Sequence, residues 1–262
     1  MLTFVPTPIG NLLDISERAK IALSESDIIF CEDTRVTKKL LNLLQIDYLN
    51  KIFYSMHSHN EQEIISKLDI AIFEKNVVYV SDAGMPGISD PGSKLIQFAQ
   101  KNNVEYDVIP GANAVLTAFV ASGFEGEWTF FGFLPHKGQE RSKKLNEVIN
   151  HDKISILYES PHRIEKLLNE LKEFIPERVV FFAKELTKKH QTFIKDYVKN
   201  IELSNIKGEW VVVIDKGVKN SSLTLNYEDI LNLKLPLKEK AKLLSKISTK
   251  STKEIYNELV NL

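Results

Sequence analysis

The chain has 262 residues, 43% hydrophobic and 26% charged, with a formal net charge of −1. That length suits two modest domains plus an appendage, and the near-neutral balance excludes a uniformly basic chain while leaving room for local basic patches. No apolar run approaches the roughly 20 residues of a membrane span, the start MLTFVPTPIG lacks a signal-peptide pattern, and the lone Cys31 excludes intrachain disulfides and suits a reducing cytoplasm.

In chain order, short apolar runs alternate with helical patterns, which predicts βαβ units and mostly parallel sheet. A strand at Leu2–Val5 runs into the loop Thr7-Pro8-Ile9-Gly10-Asn11. Asp14 and Glu17 then bracket a capping-box start for a helix carrying Ile15, Ala19, Ala22 and Leu23 on one face. A strand at 27–31 ends in Glu32-Asp33-Thr34-Arg35 and feeds a leucine-rich helix. A strand near 52–54 is followed by a polar loop, with Asn60 and Glu63 placed to cap the next helix.

Val77–Ser81 reads as a buried strand, and the loop Asp82–Gly92 after it carries three glycines, two prolines and two aspartates. Each fixed glycine gives up extra backbone entropy, so this stretch is too costly for a mere turn. The competing reading is a rigid connector with Asp90 as helix cap and Pro91 in the first turn. A helix at 93–101 and a strand at 105–109 follow, then a small-residue helix at 112–122 closed by Gly123.

The second half repeats the alternation, with strands at 128–133, 154–158, 179–183 and 210–214 and helices near 140–149 and 161–174. Lys219-Asn220-Ser221-Ser222 reads as a linker. Two short helices close the chain, at 237–247 and 252–260, the second with a Ser251/Glu254 capping box. Seven lysines against one acid, Glu239, lie between Lys234 and Lys253. The predicted fold class is α/β, with two α/β domains at 1–114 and 115–218 and a small helical domain at 225–262.

Neither GxGxxG nor GxxxxGK[ST] occurs, so the standard phosphate cradles are absent. The ligand of the 82–92 loop need not be a phosphate, and a nucleoside without one, such as S-adenosylmethionine, is compatible: carboxylates would tolerate its sulfonium cation. Polar clusters recur just after strands, at Thr7–Asn11, Glu32–Arg35, Asp82–Asp90, Glu159–Arg163 and Lys184–Lys188. Strand ends converge on one edge of a sheet, so these clusters read as a site. Taken singly, Asp33, Thr34 and Ser160 also read as ordinary helix caps. His57 and His59 lack a third ligand at metal spacing, which favours plain loop histidines and no metal.

The blocks VPTPIGNLLDI, CEDTR, HNEQE, VSDAGMPGISDPG, IPGANAVLTA, GFLP, YESPHR, KELTK and KGEWVVVI occur in the order that marks one family. In them the chain resembles the bacterial ribosomal RNA small subunit methyltransferase I family, tetrapyrrole methylase-like (class III) methyltransferases. The resemblance covers residues 3 to about 215, and the tail is similar to the family's small helical domain.

It implies methyl transfer from S-adenosylmethionine to the ribose 2′-hydroxyl of a cytidine in the decoding region of 16S rRNA. It further implies two α/β domains with the cofactor in the cleft between them, a homodimer, a cytoplasmic location and no membrane partner. By the same resemblance the cofactor residues are Pro8, Ser81, Asp82, Ala83, Gly84, Ile88, Thr117, Ala118, Tyr158 and Ala183. Catalytic candidates are Glu185, Lys184, Glu159 and Asp33, with Arg35 and Arg163 on substrate phosphate. Met85, Gly87, Asn113 and Lys184 depart from the usual pattern, and lysine is not arginine at a bidentate contact. The alternatives are a methylase of a tetrapyrrole or other small molecule, a nucleic-acid-binding module without catalysis, and a hydrolase with metal on His57, His59 and Asp82.

Overall fold

The computed structural model describes residues 1–217, 227–248 and 250–260, in two compact units, Met1–Gly217 and Val218–Leu262. The linker expected at 219–222 and the domain start expected at 225 lie outside the described residues.

The larger unit contains two five-stranded sheets. In the first, β1 (Leu2–Val5), β2 (Ile28–Cys31), β3 (Ile52–Ser55), β4 (Val77–Val80) and β5 (Tyr106–Val108) lie in the order β3-β2-β4-β1-β5, and every pairing is parallel. Both faces are covered, so β2 and β4 read as unbroken apolar runs and β1 as one interrupted only by the buried Thr3. Strand parity sorts them: Leu2, Phe4, Ile28, Phe30, Val77 and Tyr79 enter one core with α3 (Glu61–Ser66) and α4 (Ser93–Lys101). Val5, Ile29, Cys31, Val78 and Val80 enter the other with α1 (Glu17–Glu25) and α2 (Thr34–Leu43).

The chain passes to the second sheet through α5 (Ala114–Ser122). Val115 and Ala118 of α5 pack on Ile156, Phe181, Ala183 and Val211; alanine at 118 lets helix and sheet approach closely. This sheet has the order β6-β7-β10-β8-β9, built from β6 (Trp128–Phe133), β7 (Ile154–Glu159), β8 (Val179–Lys184), β9 (Thr192–Tyr197) and β10 (Trp210–Ile214). Its other face is covered by α6 (Gly138–Ile149) and α7 (Ile164–Phe174).

Here the expectation of mostly parallel sheet is corrected. Only β6 and β7 pair in parallel, whereas β7–β10, β10–β8 and β8–β9 are antiparallel. The cause is the seven-residue connection between β8 and β9, too short for a parallel crossover, which needs a dozen residues or more. The sequence reading has no strand at β9, an edge strand whose side chains are mostly exposed and do not alternate polar with apolar.

Several caps also differ from expectation. α1 is capped by Ser16, whose Oγ accepts from Ala19 N at 3.2 Å, because Asp14 is spent ending a 3-10 turn. Asn60 does not cap α3; its Oδ1 accepts from His57 N at 2.7 Å instead. Asp90 does not cap α4: Gly92, with φ +129°, precedes that helix and donates its N–H to the Glu61 carboxylate at 2.9 Å. Ser160 accepts from Arg163 N and Ile164 N through its carbonyl, and α7 begins only at Ile164. Asp33 caps α2, Asn113 caps α5, and Gly123 closes α5 in the left-handed region.

The smaller unit consists of α8 (Tyr227–Asn232), absent from the sequence reading, α9 (Leu237–Leu244) and α10 (Thr252–Val260). They enclose Ile230, Ala241, Leu244, Ile255 and Leu259. The capping box forms as expected, Ser251 N donating to Glu254 Oε2 at 2.7 Å and Glu254 N to Ser251 Oγ at 3.3 Å.

Candidate functional site

The carboxyl ends of β1, β2 and β4 carry the loops that the glycine and proline pattern singled out. Thr7 and Gly84 form an isolated antiparallel bridge, each N–H donating to the other's carbonyl at 3.0 Å. Thr7 Oγ1 donates to Ser81 O at 3.2 Å, and Ser81 Oγ to Gly84 O at 3.1 Å. Gly84 has φ +86°, and a Cβ there would stand 3.2 Å from Ile9 Cγ2. Both conditions select glycine.

Against this knot lies a cleft of about 310 Å³ between the two sheets, at the small end of ligand sites (~300–1,000 Å³). One wall is the Ala83–Asp90 segment with Ile9, and α5 contributes Ala114 beside its cap Asn113. The opposite wall is Phe133, Tyr158–Pro161 and Glu209–Val211. A second cavity, about 520 Å³, lies beyond the knot and takes in Thr7, Pro8, Gly10, α2, Asp82 and Lys188. Ile9, Ala83 and Glu209 line both, so the two cavities share a wall.

The cleft is acidic at one side. Asp90 is pushed up to about 6, chiefly by burial and then by the charges of Glu32 and Asp82. Burial also raises Glu32 and Asp82. These two are locked together, Asp82 N donating to Glu32 Oε2 and Asp33 N to Asp82 Oδ1, both at 3.1 Å. The Tyr79 hydroxyl beneath them is buried without a hydrogen-bond partner among the described residues, and burial raises it too. A site of this sign takes a cation or a neutral ligand readily.

The sign of the Asp90 effect follows from linkage. The folded state holds this proton more tightly than the unfolded chain does, so its contribution favours folding at low pH and is lost as pH rises through about 4 to 6. We expect D90N to be more stable than the parent at pH 7.5 and indistinguishable below pH 4, with urea midpoints as the measurement. A D90N–parent difference that does not change with pH would count against this assignment.

Of the residues expected at the cofactor, Ala83, Gly84, Ile88 and Tyr158 line the 310 Å³ cleft. Pro8 and Asp82 line the adjoining cavity. Ser81 is buried within the knot. Ala118 and Ala183 sit in the core beneath α5, and Thr117 donates its hydroxyl to Asn113 O.

Among the catalytic candidates, Glu159 lines the cleft but is held between Arg163 at 2.7 Å and Arg141 at 3.6 Å. Glu185, at φ +51°, accepts from Lys188 Nζ at 3.0 Å and Glu209 N at 2.9 Å. Lys184 faces away from the cleft, its Nζ on Asn205 O at 2.8 Å. Asp33 is half-buried and held down to about 2 by hydrogen bonds from Arg35, which it pairs at 2.6 Å. Arg163 spends its guanidinium on Ser160 Oγ, Leu134 O and Glu159.

Cleft residues to which the sequence reading gave no role include Phe133, Glu209 and Trp210, and Asp90, read there as a helix cap or one of a strand-end cluster, also lines it; the blocks GFLP and KGEW were the signal that could have found Phe133 and the Glu209–Trp210 pair. Among the described residues no group of three His, Cys, Asp or Glu is arranged for a metal ion, and no helix is long and apolar enough to cross a membrane.

A family profile described as Tetrapyrrole (Corrin/Porphyrin) Methylases matches residues 1–202. Among curated relatives, the Ribosomal RNA small subunit methyltransferase I of Campylobacter fetus subsp. fetus is 47% identical over 270 residues, covering 99% of this chain and 100% of the relative. The enzyme of the same name from Helicobacter pylori (strain J99) is 41% identical, covering 98% of this chain and 96% of the relative. Among solved structures, the methyltransferase CobJ aligns with TM-score 0.58 at 18% identity, covering 82% of this chain and 94% of the other. Diphthine synthase aligns with TM-score 0.59 at 17% identity, covering 83% and 90%. These structural likenesses are of fold.

Proposed function

Because the chain belongs to the tetrapyrrole methylase family, we propose that it is a methyltransferase of small-subunit ribosomal RNA, taking the methyl group from S-adenosylmethionine and placing it on the ribose 2′-hydroxyl of a decoding-region cytidine. The observation that carries this reading is identity of 47% spread across 99% of the chain, not confined to the fold's common core. The chain is proposed to act in the cytoplasm as a homodimer, with residues 1–114 and 115–218 as its two α/β domains and 225–262 as an RNA-holding appendage.

The cleft residues fit the cofactor. Ile9, Met85, Ile88 and Trp210 offer apolar surface for a purine, the Ala83–Asp90 backbone offers polar groups, and the carboxylate of Asp90 suits a nearby cation. When bound, the cofactor supplies an electrophilic methyl group. The chain's own task is to hold the two cavities against one shared wall of Ile9, Ala83 and Glu209 and to present the acceptor hydroxyl from the 520 Å³ cavity. Asp82 lines that cavity. Its Oδ1 is occupied by Asp33 N, and its Oδ2 has no hydrogen-bond partner among the described residues. We assign Asp82 as the group that accepts the hydroxyl proton. Arg35, beside the same loop and exposed, is placed to hold phosphate.

The test is primer extension at low nucleotide concentration on small subunits from a strain in which the gene is disrupted. The decoding-region cytidine should lose its 2′-O-methyl stop and regain it on complementation. A stop that persists in the disrupted strain removes the assignment.

A further inference from the structure

A third cavity, of about 360 Å³, opens on the other side of Trp210 from the cleft. It takes in Lys184, Lys189, His190, Gln191, Thr192 and Asn205, and no carboxylate is in its lining. We propose that it is a phosphate-binding pocket that takes a backbone phosphate of the RNA strand whose ribose is methylated; this rests on the function proposed above.

The ladder explains how the pocket is built. Trp210 of β10 stands opposite Glu159 of β7 on one side and Lys184 of β8 on the other. These three side chains therefore form one row across the sheet, on the face away from α5. Glu159 at one end of the row is neutralised by two arginines. Lys184 at the other end is not paired in this way. It is 5% exposed, and its ammonium reaches one carbonyl, Asn205 O, at 2.8 Å and stands 5.7 Å from the Trp210 ring.

It forms no ion pair with a carboxylate among the described residues. An ammonium has three donors; the Glu185 carboxylate feels this charge but is held by Lys188 Nζ and Glu209 N, and a buried charge without a directly bonded counterion is expensive. A protein that keeps such a lysine at the floor of a polar cavity, with Lys189 and His190 exposed at the rim, has the donors for a phosphate oxygen and lacks the anion.

Position ties the pocket to the reaction. The connection between β8 and β9 puts Lys188 into the 520 Å³ cavity and Lys189–Gln191 into this one. Two of its residues, Glu185 and Thr187, hold φ of +51° and +63°, a backbone form that non-glycine residues keep only where the surroundings enforce it. A strand with one ribose in the 520 Å³ cavity passes over this connection, and its next phosphates meet the 360 Å³ pocket.

The test reads charge neutralisation directly. The affinity of a short single-stranded RNA should be measured by fluorescence anisotropy between about 50 and 200 mM salt, where each neutralised phosphate adds ~0.7 to the slope of log affinity against log salt. K184M should lower that slope by about 0.7, and K184R should keep it. Loss of packing alone would weaken binding without changing the slope. K189Q/H190Q at the exposed rim supplies the same readout should K184M fail to fold.

The chain has two tryptophans, so a W128F background leaves Trp210 as the sole indole. Its emission should shift on titration with inorganic phosphate in the parent and not in K184M. A shift with phosphate but an unchanged RNA slope in all variants makes this a free-phosphate site and overturns the RNA assignment, and no shift with either overturns the pocket. Methyl incorporation into small subunits by the same preparation is scored separately. Incorporation with an unchanged slope defeats only the assignment of the pocket to RNA phosphate; a changed slope without incorporation defeats the proposed function.

Discussion

Replacing Arg141 by methionine is expected to destabilise the larger unit by about 3–5 kcal/mol, the cost of leaving a buried charge partner uncompensated. Arg141 is 2% exposed. It binds the Glu170 carboxylate in fork geometry at 2.7 and 3.0 Å, donates to Pro135 O at 3.1 Å, and lies 3.6 Å from Glu159. The side chain thus joins α6, α7, the end of β7 and the connection after β6 at a single point.

Without it Glu159, whose side chain is fully buried, keeps Arg163 and the Ser160 N–H on Oε1, while its Oε2 already lacks a hydrogen-bond partner among the described residues. Urea melts of the full chain measure the effect. The triple change R141M/E159Q/E170Q should recover part of the loss, because the stranded carboxylates are what costs. A loss below about 1 kcal/mol, the worth of an exposed pair, would show that the cluster is solvated.

The second expected result concerns rate. D82N should lower kcat by about 10²–10⁴, the range for loss of a positioned general base, and leave S-adenosylmethionine affinity unchanged by calorimetry. Asparagine retains the Oδ1 that accepts from Asp33 N, and the backbone N–H to Glu32 is untouched, so the loop has no reason to rearrange. The acid limb supplies a control. A base must be ionised to work, and burial raises Asp82 above the ordinary aspartate range, so the parent's activity should fall with acid at a higher pH than an exposed aspartate would give. D82N should lack that limb. A D82N profile parallel to the parent's would give the proton to another group or to water.

The elements were largely legible because each carries its own periodicity. β1, β2 and β4, covered on both faces, are apolar runs broken only by Thr3, and α5 announces itself by small residues and a closing glycine. What escaped was decided at a distance. Nothing local in Thr192–Tyr197 distinguishes an edge strand from a loop until β8 lies beside it.

The site followed the same rule. The 82–92 loop declared its cost in glycine and proline, and Ala83, Gly84 and Ile88 do line the cleft. That Asp82 turns to one cavity while Asp90 turns to the other depends on the Thr7–Gly84 bridge, a contact spanning 77 residues that no local spacing encodes. Lys184 was singled out by its place in KELTK, but strand parity sends it to the face opposite Ala183.

The position of β1 between β4 and β5 also bears on how the chain is made. Leu2–Val5 form an inner strand, yet both of its neighbours lie more than 70 residues downstream. At a ribosomal pace of about 5–20 residues per second, β1 emerges roughly 4–15 seconds before β4 exists to receive it. During that interval Leu2, Phe4 and Val5 are an apolar segment with both edges open, the kind of segment on which nascent chains misassociate. The larger unit can close its first sheet only after residue 108 has left the tunnel, so an early truncation product has no stable first sheet to fall back on.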